Sequence, residues 1–87
     1  MKYRIKTVQK RRPVEAIQYT FENLNVIIRF VGDSKVLWKP RAEELNIISL
    51  GRTMRVDNGS YVVKRHDGEV FVIERRAFER AYEKVER

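Results

Sequence analysis

The groups in this chain best suited to recognition are cationic. Lys2, Arg4, Lys6, Lys10, Arg11 and Arg12 fall within the first twelve residues, with no acid among them. The net charge is +7, and this stretch holds most of it; residues 13–87 are nearly neutral. Clustered lysine and arginine neutralise phosphates and release counterions, giving salt-sensitive binding with little sequence preference. The same charges suit an acidic protein surface, or simply protect a strand edge from aggregation. Trp38 lies among Lys35, Lys39 and Arg41. A tryptophan in that setting can stack on a base or nucleotide, or can close a small core. Arg65, Arg75 and Arg76 are candidate phosphate contacts for a small nucleotide.

Catalytic chemistry has fewer footholds. The single histidine, His66, sits in a predicted turn, with no second histidine to share a metal. Ser34, Ser49 and Ser60 lack a histidine–acid context, and no glycine-rich phosphate loop precedes a helix. Glu43 and Glu44 are paired carboxylates in a weakly patterned region, expected to face solvent. Cysteine is absent, which excludes disulfides and thiolate metal sites. The residues therefore point to a binding protein rather than an enzyme, with no cofactor and no metal. No apolar run is long enough for a membrane span, and the basic start lacks the apolar segment of a signal peptide. The expected setting is a reducing cytoplasm.

The elements that must position these groups follow from periodicity. Residues 53–73 read as three antiparallel strands joined by turns at Asn58–Gly59 and Asp67–Gly68, both two-residue hairpin signals that ask for positive φ. Residues 46–50 add a fourth strand to this meander, through a turn at Gly51–Arg52. The last strand, 70–73, is apolar on both faces and should be covered on both. Residues 1–8 alternate as a strand with a basic outer face, an N-terminal arm or edge strand spanning 1–12 ahead of a single domain from 13 to 87. Residues 14–20 form another strand. Leu24, Ile27, Ile28 and Val31 make the apolar stripe of a short helix that Asn23 or Thr20 could cap and Gly32 could end. Residues 33–45 are the least legible, with 36–38 a candidate short strand. Phe78, Ala81, Tyr82 and Val85 predict a second helix over 75–86. The expected class is α+β: a mainly antiparallel sheet of about five to six strands with two short helices, in the order β-β-α-(β)-β-β-β-β-α. Phe78, Tyr82, Leu24, Ile28 and Phe71 are expected to pack together.

Four stretches carry a resemblance: PVEAIQYT (13–20), NLNVIIRFVG (23–32), GSYVVKRHDGEV (59–70) and RAFERAYEKV (76–85). In this order they resemble a family of small phage and prophage proteins. That family has a Pro-then-VEAIQW/YT strand and an Asn-Leu helix ending in Phe-x-Gly. A Gly-Asp-Tyr strand, a Gly-Glu-Phe strand and a C-terminal Phe-x-x-x-Tyr helix follow. The likeness covers about two thirds of the chain, and its motifs are structural. Two departures matter. The family's Pro-Gly-Asp-Tyr turn reads Asn58, Gly59, Ser60, Tyr61 here, and its Cys-Lys-Pro stretch reads Ile73, Glu74, Arg75. Any role of that aspartate or cysteine is absent. The resemblance carries no activity with it. It implies a phage-encoded protein acting in the cytoplasm of an infected bacterium.

These readings give an accessory binding protein that engages a host or defence protein. The alternatives are a nucleic-acid-binding protein using the basic arm, and a small-nucleotide-binding protein.

Overall fold

In the structure, a computed structural model, residues 2–5, 13–32 and 35–85 are described. They form β1 (Lys2–Ile5), β2 (Val14–Gln18), α1 (Leu24–Val31), β3 (Lys35–Lys39), β4 (Glu44–Ser49), β5 (Arg52–Val56), β6 (Tyr61–Lys64), β7 (Val70–Ile73), α2 (Arg75–Ala81) and β8 (Tyr82–Lys84). The fold is α+β, with two helices and two antiparallel sheets. One sheet has the order β7-β6-β2-β1-β8 and the other β3-β4-β5.

Residues 46–73 do not form the expected four-stranded meander. β4 and β5 pair in the small sheet, while β6 leaves it to pair with β2 and β7 in the large one. The Asn58–Gly59 turn is what redirects the chain. Ser60 N–H bonds the Asp57 carbonyl at 2.9 Å, closing the turn. Gly59 N–H then bonds the Tyr19 carbonyl, and Tyr19 N–H the Ser60 carbonyl, both at 2.8 Å. Gln18 Nε2 donates to the Gly59 carbonyl at 3.0 Å. With its backbone groups taken by the end of β2, the turn cannot close a hairpin between β5 and β6. Gly59 does have the expected positive φ of 94°, and Gly68 has 91°. The β6–β7 loop is longer than two residues. It runs over 65–69, closed by Arg65 N–H to the Glu69 carbonyl and Gly68 N–H to the Arg65 carbonyl, both 2.9 Å.

The two-residue turn with both central residues at positive φ lies elsewhere, at Leu50 (52°) and Gly51 (77°), between the paired Ser49 and Arg52. It replaces the expected Gly51–Arg52 turn. A leucine in the left-handed region is unfavourable by roughly 1 kcal/mol, and this one is 76% exposed.

α2 is shorter than the apolar spacing predicts. It ends at Ala81, and Tyr82 turns extended (φ −120°, ψ 152°). The Tyr82 ring still meets Phe78, stacked at 4.6 Å. The i, i+4 contact is therefore kept while the backbone leaves the helix. β8 then pairs with β1, Tyr82 opposite Ile5 and Lys84 opposite Tyr3. β1 consequently lies inside the sheet, between β2 and β8, and is not an edge strand. Its pairing, and Val85 N–H to the Lys2 carbonyl at 3.0 Å, make residues 2–5 part of the folded body.

The large sheet carries an apolar cluster on each face. On one, Tyr19, Val62 and Val70 pack with Ile27 and Val31 of α1 and with Leu45, Ile47 and Val56 of the small sheet. On the other, Ala16, Tyr61 and Val63 pack under Phe78 of α2, with Tyr3, Phe71, Ile73 and Tyr82 around them. The single expected core is thus two. Leu24 belongs to the first cluster, Phe71, Phe78 and Tyr82 to the second, and Ile28 is 44% exposed. β7 is apolar on both faces because each faces a cluster, although in hydrogen bonding it is an edge, with β5 lying alongside.

α1 is held at both ends by tertiary contacts. Asn23 makes no side-chain cap bond to the helix. Its amide instead donates to the Gln18 carbonyl at 2.8 Å and accepts from Thr20 N–H at 2.9 Å, fixing the β2–α1 connection. Gly32 ends the helix at φ 64°, as its position predicts. Lys64 Nζ donates to the Phe30 carbonyl at 2.8 Å and lies 5.0 Å from the Phe30 ring centroid. A cation on the last carbonyls suits the helix dipole. At α2, the Glu74 side chain accepts from Ala77 N–H at 3.1 Å. Bonds from the Arg76 and Ala77 backbone hold its carboxyl below the usual range.

Candidate binding surfaces

The described part of the basic arm is balanced by acids across the sheet. Lys2 is exposed on β1 and stands opposite Glu15 in register. Arg4 stands opposite Glu83. Opposite charges in cross-strand positions stabilise the pairing and reduce the field presented to a polyanion. Lys6, Lys10, Arg11 and Arg12 lie outside the described residues.

Trp38 is half-buried and packs against the first apolar cluster, opposite Leu45 in register. Strand alternation explains this: Val36 and Trp38 face the core, while Lys35, Leu37 and Lys39 face solvent. The tryptophan thus closes a core rather than offering a free stacking face. The outer side of the small sheet has mixed charge. Lys39 lies 3.9 Å from Glu44, and Arg55 Nε 3.2 Å from Asp57. The Asn46 amide bonds Glu44 at 2.8 Å; this bond, then Lys39, holds the Glu44 carboxyl below the usual range.

Arg65, Arg75 and Arg76 are not brought together. Arg65 opens the β6–β7 loop and the other two start α2, with all of β7 between. Four strand residues separate them by about 13 Å. The structure instead joins Arg65 to Arg52. Their guanidinium carbons lie 4.7 and 5.6 Å from the centroid of the same Phe71 ring. Arg52 carried no signal in the sequence, because its neighbour is nineteen positions on and reached only by packing β5 beside β7.

α1 offers a surface of a different kind. At 100° per residue, its apolar residues run from Val26 through Phe30, Ile27, Val31 and Leu24 to Ile28, an arc of about 200°. Only Asn25 and Arg29 are polar. A surface helix needs a stripe of roughly 100° to meet its core. The sheets bury the centre of the arc, Ile27 and Val31, and leave its flanks open. Val26 is 47% and Ile28 44% exposed, and Phe21, in the turn before the helix, is 57% exposed.

No family model matches this chain, and no curated protein or solved structure does. The argument for function therefore rests on these surfaces. Of the other groups weighed for chemistry, His66 is exposed in its turn, Ser49 and Ser60 are buried, Ser34 lies outside the described residues, and Glu43 is exposed with φ 51°. Among the described residues no helix is long and apolar enough to cross a membrane.

One titration is built into the second cluster. The Tyr61 hydroxyl donates to Glu79 Oε2 at 3.0 Å. Burial first, and this bond second, push its pKa from the ordinary 10.0 up to about 12. The folded-state value is the higher one. The stability it contributes is therefore complete below pH 10 and is lost as pH rises from 10 through 12. Thermal melts of the wild type should fall over that window, and Tyr61→Phe should fall less steeply. Parallel curves for the two would show that another group governs alkaline unfolding.

Proposed function

We propose that this chain is a small phage-encoded accessory protein that binds a host or defence protein in the bacterial cytoplasm, with α1 and the turn before it as the contact. The observation that carries the reading is the apolar arc of α1, wider than the fold covers. A single exposed apolar side chain is ordinary. Three large ones within the eight residues from Phe21 to Ile28 make a docking surface. An apolar helix flank matches a groove or flank on a protein, not a phosphate backbone. The balanced charges of Lys2, Arg4, Lys39 and Arg55 favour the same class of partner. The resemblance to phage proteins supplies the setting.

The test is capture of partners from a bacterial lysate, with and without nuclease, by wild type and by Val26→Asp/Ile28→Asp. Both positions are exposed enough that the variant should fold, which circular dichroism checks. The expected result is a nuclease-resistant complex that the double change abolishes. Capture that disappears with nuclease, or that is insensitive to α1 and lost on changing Lys10, Arg11 and Arg12 to Ala, would replace this reading with nucleic-acid binding by the arm.

A further inference from the structure

We infer that Arg52 and Arg65, held by Phe71, form a binding site for the phosphoryl group of a nucleotide. Two guanidinium groups lie over one ring, at 5.6 and 4.7 Å from its centroid. Phe71 is half-buried and fixed by the second apolar cluster, so the ring is a rigid support. A cation–π contact uses none of a guanidinium's five N–H donors. Among the described residues no acid lies within ion-pair distance of Arg52, and neither side chain donates a hydrogen bond. The one acid near the pair is Glu69, whose Oε1 is 3.8 Å from Arg65 Nη1, beyond hydrogen-bonding range.

Two like charges gathered on one ring repel each other, and a shared anion removes that repulsion. A phosphoryl group fits better than a chloride or a single carboxylate, because its oxygens accept from two planar forks at once. The arrangement also limits what must be ordered on binding, since the ring already restricts both long side chains. A base attached to that phosphate has a guanidinium plane to stack on. Arg75 and Arg76, at the far end of β7, are too distant to take part. The site lies apart from the exposed flanks of α1, so the two assignments stand or fall separately.

Titration followed by NMR of backbone amides and arginine Nε–Hε groups tests it, with inorganic phosphate, adenosine monophosphate and adenosine as probes. Phosphate and the nucleotide should shift Arg52, Arg65 and the 65–69 loop; adenosine alone should not. Arg52→Gln and Arg65→Gln should each weaken nucleotide binding roughly tenfold or more, the worth of one charge-assisted bond. Arg76→Gln should leave it unchanged, and Glu69→Gln should tighten it. Both arginines are exposed, so the variants should fold as wild type does. Equal shifts at Arg76, an equal response to adenosine, or no loss in Arg52→Gln would overturn the assignment.

Discussion

Replacing Phe78 with Ala should unfold most of the protein at moderate temperature. Phe78 is 1% exposed and stacks between Tyr61 (4.0 Å) and Tyr82 (4.6 Å), with Tyr3 edge-on at 4.9 Å. It is the one buried residue of α2, so the helix is held to the sheet through this ring. Truncation leaves a cavity among three other aromatics, which cannot all collapse into it. The expected cost is about 3–5 kcal/mol. Total stability for 87 residues is itself of order 5–10 kcal/mol. Phe78→Leu should cost less, because it refills part of the space. The check is a denaturant or thermal melt; an alanine variant melting within a degree or two of wild type would show that α2 does not depend on this residue.

Gly59→Val should be the most damaging change in any turn. At φ 94° a β-branched side chain is strained, by about 1–3 kcal/mol. Space is not the problem, since an added Cβ would meet only Arg75 Cδ at an ordinary 3.7 Å. The damage is conformational, and it falls on the hinge that takes the chain from the small sheet to the large one. A backbone shift there weakens both bonds to Tyr19 and the Gln18 contact together. Gly68→Val meets similar strain at 91°, but its loop closes only a local hairpin. Gly59→Val should therefore lower the denaturation midpoint further than Gly68→Val. The reverse order would show that the 57–60 turn does not organise the two sheets.

The contrast between these positions shows what the residues reveal and what they do not. The positive φ of Gly32, Gly59 and Gly68 was legible because it is a local demand of the chain. The apolar periods of α1, α2 and β7 were legible for the same reason. Pairing was not. Asn58–Gly59 is a strong hairpin signal, but whether β5 or β2 receives β6 depends on Gln18 and Tyr19, some forty residues away. β8 was hidden because Phe78 and Tyr82 satisfy helical spacing, and their rings still touch after the helix has ended. At the candidate sites, Arg65 could be named and Arg52 could not, since proximity to Phe71 arises only when the sheets meet. Ile28 was read as core because its spacing places it beside the buried stripe. The sheets cover less of α1 than its sequence is built to have covered.

The pairing of β1 with β8 has a consequence for how the molecule is made. Tyr3 lies opposite Lys84, so these strands come from opposite ends of the described chain. β3, β4 and β5 are contiguous, and their sheet can close as soon as it is synthesised. The large sheet can form β6–β7 early, but β1 must wait for β8 to leave the ribosome. Contacts this far apart are costly in loop entropy and slow to form. During that wait the hydrogen-bonding edge of β1 is open to other chains, and the speed of release sets how long it stays so.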